Sequence, residues 1–162
     1  MITQSELKKF LEYHLDTGDF TWKVSRGNVK AGKVAGFTEV NGYLIIRINN
    51  NNYYAHRLVW LFITGNFPSV IDHINGVRND NRLSNLRECT DQQNQWNHKN
   101  YSTNTSGIKG VSWNTRMQKW KVAIRTEIGR IHLGYFKSLD DAKLVIIEAR
   151  NKYHKEFANH GF

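Results

Sequence analysis

The sequence predicts an α+β protein in more than one part, and three observations predict it. Period-two apolar runs alternate with stretches of helical spacing along the 162 residues. Residues 70–94, VIDHINGVRNDNRLSNLRECTDQQN, read as strand, loop, strand, helix. Residues 107–155 read as three strands followed by one amphipathic helix. The expected division is an N-terminal helix with a β-rich extension (1–55), a central core (56–100), a linker (101–106) and a small domain of three-stranded antiparallel sheet packed on one helix (107–162).

Thr3 with Glu6 fits a capping box, and Leu7, Phe10, Leu11 and His14 share one helical face, so the spacing predicts a helix from Gln4 to Leu15. Asp16-Thr17-Gly18-Asp19 is a turn. Phe20, Trp22 and Val24 alternate as a half-buried strand does. Gly27, Gly32 and Gly36 mark an irregular stretch. Tyr43 to Ile48 is β-rich, Asn49 to Asn52 a hairpin tip, and Tyr53 to Ala55 its return. His56 to Thr64 is apolar but too short to span a bilayer, and Gly65 and Pro68 end it as a buried helix.

Val70 to Ile74 should be a strand, and Asn75-Gly76 is a strong tight-turn signal. Leu86 to Cys89 returns, and Thr90 or Asp91 caps a helix to about His98. Lys99 to Ser106 reads as linker. Gly107–Asn114, Gln118–Arg125 and Arg130–Phe136 are the last three strands. Ser138 with Asp141 opens a helix in which Ala142, Val145, Ile146, Ala149 and Tyr153 repeat at helical spacing.

Composition narrows the partner. The formal charge is +9 and the pI about 9.7, which favours polyanions. The excess is uneven: residues 1–100 carry 12 Lys/Arg against 9 Asp/Glu, and residues 101–162 carry 11 against 5. The shorter segment is therefore the better candidate for gripping phosphates. No apolar run is long enough to cross a membrane, and MITQSELKKF lacks the apolar core of a signal peptide. Cys89 is the only cysteine, which excludes an internal disulfide and any zinc site with two or more thiolates. A reduced, cytoplasmic setting is expected.

The chemistry concentrates in residues 70–94. Asp72 and the amide oxygen of Asn94 are hard oxygen donors suited to Mg²⁺ or Mn²⁺. His73 has a reference pKa of about 6.5 and can take a proton from water near neutrality. Arg78, Arg82 and Arg87 surround them as candidate phosphate contacts. Together these residues read as a centre that cleaves phosphodiesters with one divalent ion.

AHRLVW followed by DHINGVRNDNRLSNLRECTDQQN resembles the HNH nuclease family, in the branch found in phage and intron-encoded homing endonucleases. TGDFTWK, GKVAG and NGYLIIRI extend the likeness over residues 15–98. The resemblance implies a ββα-metal fold, His73 as general base, Asp72 and Asn94 as ligands of one Mg²⁺ or Mn²⁺ ion, and Asn85 as the residue pinning the loop that carries His73. Residues 106–160 resemble the plant-type APETALA/ethylene-response-factor DNA-binding domain through SGIKGVSWN, KWKVAIR, HLGYFKSLDDAK and YHKEFAN. That likeness implies a sheet face laid in the major groove of double-stranded DNA. Alternation then aims Ser112, Asn114, Lys121, Arg125, Arg130 and His132 outward, with Lys109 and Arg116 nearby.

Val111, Trp113, Trp120, Val122, Ile124, Ile131 and Leu133 should face the helix. His56 reads as a core histidine orienting the loop, and His98, one helical turn after Asn94, is geometrically able to be a third ligand. The expectation is a monomeric or weakly dimeric endonuclease that nicks duplex DNA. The competing reading is a DNA-binding or transcription-regulating protein built on a decayed nuclease.

Overall fold

The computed structural model describes residues 1–98, 100 and 103–160. It divides into two compact units, Met1–Thr90 and Asp91 onward. The mixed α+β class holds. Among the described residues no helix is long and apolar enough to cross a membrane.

In the first unit, α1 (Gln4–Phe10) is opened by a full capping box between Thr3 and Glu6. It stops at Phe10, five residues short of the helix expected from spacing. Leu11 turns extended and begins β1 (Leu11–Tyr13), which pairs antiparallel with β2 (Phe20–Trp22). Leu7 and Leu11 suit a helical face, but Leu11 and Tyr13 also suit a strand, and pairing across the Asp16–Asp19 turn buries both. Tyr13 and Phe20 meet at 5.1 Å between ring centroids.

β3 (Phe37–Thr38), β4 (Leu44–Ile48) and β5 (Asn51–Tyr54) form a second small antiparallel sheet. Its hairpin turns on Asn49 and Asn50, both at positive φ (50° and 63°), the conformation a two-residue turn between twisted strands requires. α2 (Ala55–Thr64) follows directly, ends at Gly65 with φ 81°, and buries Ala55, His56, Leu58, Val59 and Leu61. β6 (Val70–His73) pairs antiparallel with β7 (Leu86–Cys89). One apolar core joins these elements except β3, from Leu7 and Leu11 through Ile46 and Leu58 to Ile71 and Leu86. The extension expected over 1–55 is therefore packed into the same body as the β6–β7 hairpin.

The second unit begins with α3 (Asp91–Asn97). Asn100 and residues 103–106 of the expected linker are described; Lys99, Tyr101 and Ser102 lie outside the described residues. Asn104 donates to Asn100 Oδ1 and to the Ile108 carbonyl, so its stretch is a hydrogen-bonded turn. β8 (Val111–Asn114), β9 (Lys119–Thr126) and β10 (Gly129–Phe136) form a sheet in the order β10–β9–β8. α4 (Leu139–Tyr153), capped by the Ser138 hydroxyl, packs on that sheet. The shared core is Ile108, Val111, Val122, Ile124, Ala142, Ile146 and Ala149.

Two details depart from simple alternation. Trp113, expected in this core, is 41% exposed and meets Trp120 edge-on at the margin of the sheet. A bulge at Leu133, next to Gly134 with φ 128°, moves the register of β10 by one residue, so Tyr135 faces Lys121 across the strands.

Candidate functional site

The β6–β7 hairpin sets the geometry of the first unit's polar centre. Asp72 and His73 end β6, both 5% exposed, opposite Arg87 and Leu86. Arg87 donates from Nε (2.9 Å) and Nη2 (2.7 Å) to Asp72 Oδ2. An ion pair this close to buried is shielded from water and holds its geometry.

After His73 the chain reverses, with the Gly76 N–H bonded to the His73 carbonyl at 2.8 Å. Asn85 stitches the loop closed: its Oδ1 accepts from the Asn75 N–H at 3.0 Å, and its Nδ2 donates to the Asp80 carbonyl at 2.8 Å. Asn75 adds bonds to the Val77 N–H and to Asp80 Oδ2. Arg82 grips Asp80 bidentately, at 2.8 and 2.5 Å, and those bonds hold the Asp80 carboxyl down at about 2.

The His73 ring sits in a box of aromatic and polar groups. Its Nε2 lies 3.3 Å from Asn81 Oδ1. An amide oxygen can only accept, so in this bond Nε2 is the donor. The His56 ring meets it edge-on at 5.1 Å, and Tyr43 lies at 5.9 Å. Burial pushes the His73 pKa below its ordinary value, partly offset by the Asn81 bond and the Asp72 charge. Burial, with His73 and Arg57 nearby, takes His56 to about 3. Both imidazoles are neutral at pH 7.

Asn81 is 1% exposed, and sequence reasoning missed it. It lies in an Asn-Asp-Asn run without periodicity, where only the density of turn residues gave a signal. Tyr13 was missed as well. Its hydroxyl donates to the Asn81 carbonyl and accepts from the Leu83 N–H, each at 2.9 Å.

The expected arginines all have protein partners. Arg78 donates to the Asn41 carbonyl and lies over the Tyr43 ring, Arg82 pairs with Asp80, and Arg87 with Asp72.

In the second unit, Asn94 stands half-buried on α3, and His98 is exposed just beyond it. The first unit thus brings together Asp72, His73 and Asn85, while Asn94 belongs to the other compact unit. Trp96 of α3 stacks flat on His154 at 4.2 Å, a packing role. Lys109, expected in the groove, donates through Nζ to the carbonyls of Gln95, Trp96 and His98, where a cation complements a helix C-terminus. The outward sheet face carries Ser112, Asn114, Lys121, Arg125, Arg130 and His132, and the register adds Lys119 and Tyr135. Arg116 is exposed in the turn between β8 and β9. His132 and Tyr135 touch at 4.7 Å.

The family model described as HNH endonuclease matches residues 53–96, from β5 through α2 and both strands of the hairpin into α3. Protein 3.8 of Escherichia phage T7 is 36% identical over 107 residues, 64% of this chain and 86% of that protein. The chain belongs to the family of protein 3.8, built around an HNH endonuclease domain. No solved structure matches it. The matched stretch contains Asp72, His73, Asn81, Asn85, Arg87 and Asn94. The HNH match points to a nuclease acting on DNA.

Proposed function

We propose that this HNH protein is a metal-dependent endonuclease that hydrolyses one strand of double-stranded DNA per binding event, as a phage homing endonuclease. One observation carries the reading. Asp72 and His73 lie side by side at the buried end of β6, on a loop fixed by Asn85, inside the stretch that the HNH family matches.

His73 acts as general base. Asn81 orients the ring through Nε2, and the imidazole takes the proton of a water attacking phosphorus in line. Burial disfavours the charged ring, so the imidazole is in the form that can accept a proton. Asn85 positions rather than reacts, since its amide bonds both backbone ends of the loop.

Among the described residues no three His, Cys, Asp or Glu side chains gather as a metal cage. Sparse oxygen ligation suits Mg²⁺ or Mn²⁺, which keep waters and accept substrate oxygens beside one or two protein ligands. Asp72, at the buried end of β6, is the residue of the first unit that would hold it. A bound divalent ion supplies Lewis-acid stabilisation of charge building on the phosphate. The outward face of the second unit's sheet grips the duplex, in the manner of an APETALA/ethylene-response-factor domain.

A supercoiled plasmid tests this. With Mg²⁺ the protein should convert it to open circles, and EDTA should stop the conversion. His73→Ala should cut about 10²–10⁴-fold more slowly while binding duplex as before. Retardation without nicking, under Mg²⁺ and Mn²⁺ alike, would establish a binding protein on a decayed nuclease instead.

A further inference from the structure

The second unit holds a cavity of about 460 Å³ whose lining differs in charge from the rest of the molecule. Lys109, Arg125, Arg130 and Arg150 line it, with His154 beside them, and the described lining contains no Asp or Glu. Arg125 and Arg130 are exposed, so the cavity opens to solvent on their side. Arg150 is 2% exposed on α4. Its guanidinium donates to the Lys109 and His160 carbonyls and has five N–H groups in all. Among the described residues no carboxylate pairs with it, and burial draws Arg150 to about 10 and Lys109 to about 8. A buried cation without a counter-charge needs an anion or a strong reason to do without one.

A second observation gives the sign of the occupant. Trp96, 5% exposed, also lines the cavity, and its indole Nε1 has no hydrogen-bond partner among the described residues. An indole N–H can only donate. A lining of cations with an unsatisfied donor beside them and no carboxylate favours an acceptor-rich anion, and guanidinium forks match the oxygens of a phosphate.

We infer that this cavity binds a phosphate group, held by Arg150 and Trp96 at its floor and by Arg130 at its mouth. The volume exceeds a single phosphate ion, so the group can arrive free or as part of a nucleic-acid backbone. The inference does not depend on catalysis at His73, and its readout is separate from nicking.

The test is binding of inorganic phosphate to the full chain at fixed ionic strength, read by indole fluorescence and thermal unfolding against chloride. Phosphate should raise the melting temperature saturably, as a ligand of the folded state does. Trp96→Phe keeps the stack on His154 and deletes only the donor. Arg130→Gln alters an exposed side chain and leaves the core intact. Each should weaken phosphate binding about tenfold, and Arg150→Met should abolish it. Because Arg150→Met can also disturb folding, the first two variants decide. If chloride stabilises the parent equally, or both variants bind phosphate as the parent does, the site is not there. A short duplex separates the sources: competition between duplex and phosphate assigns the site to a backbone phosphate, and its absence assigns it to free phosphate.

Discussion

At the scale of single residues, the first unit's histidines tie stability to pH in a direction that can be worked out. His56 folds with a pKa of about 3, against about 6.5 in the unfolded chain. Between those values the unfolded state binds a proton that the folded state refuses. His56 therefore leaves stability intact above about pH 6.5 and erodes it as pH falls toward 3. The slope cannot exceed about 1.4 kcal/mol per pH unit, so acidification from pH 7 to 5 should cost about 2 kcal/mol from this residue. His56→Phe keeps a ring against Tyr54 and His73 and removes the titration. Urea denaturation at pH 7 and 5 should show a flatter dependence in the variant. An unchanged dependence would mean that His56 is not the titrating group. Asn85→Ala is a different kind of change, because it strands the Asn75 N–H and the Asp80 carbonyl in a part-buried loop. It should destabilise by about 1–3 kcal/mol. Nicking should fall even at temperatures where the protein remains folded.

At the scale of elements, the β1–β2 hairpin acts as a backing plate for the loop after β6. Besides the two Tyr13 hydroxyl bonds, a Cβ at Gly18 would stand 2.4 Å from the Arg82 nitrogen, at a φ of +80°. Gly18→Ala should therefore destabilise more than a cavity-forming change of the same size, while Tyr13→Phe should cost about 1–3 kcal/mol and slow nicking. Calorimetry with a nicking assay checks both, and a Tyr13→Phe protein that melts and cuts like the parent would sink the coupling. This relation was invisible in the sequence, because Tyr13 and Asn81 are 68 residues apart and no local signal links them. Other elements were legible. The Thr3–Glu6 box, the hairpin tip expected over Asn49–Asn52, of which Asn51 and Asn52 join the return strand, and the Gly65 stop are local signals, and local signals survive folding. The end of α1 was not, since Leu11 fits both a helical face with Leu7 and a strand with Tyr13 until a partner strand chooses between them. Nor was the allegiance of α3, a polar helix whose one large apolar residue, Trp96, packs on a histidine 58 positions away. Asp72, His73 and Asn85 stood out because a carboxylate beside an imidazole in a turn-rich stretch is rare chemistry. Asn81 and Tyr135 escaped because a loop fold and a β-bulge, respectively, decide where they point.

At the scale of the whole molecule, a net charge of +9 would attract DNA to any face, so the question is whether attraction is oriented. The second unit presents two layers with different charge placement. Lys121, Arg125 and Arg130 stand on the outward side of the sheet, and α4 covers its other side with Lys152 exposed near the helix end. If the sheet face holds the duplex, Lys121→Ala or Arg125→Ala removes a phosphate contact and makes the slope of log K against log salt shallower by about one. Lys152→Ala removes the same unit of charge from the other layer and should leave the slope alone. Titrations from about 50 to 200 mM salt resolve a difference of that size. Equal slopes for all three variants would mean that binding follows net charge and that this sheet is not the docking face. The same series bears on the number of chains in the cutting complex. A monomer gripping through one sheet face gives a nicking rate per bound molecule that does not change with protein concentration, whereas a dimer gives a rate that rises with it before saturation.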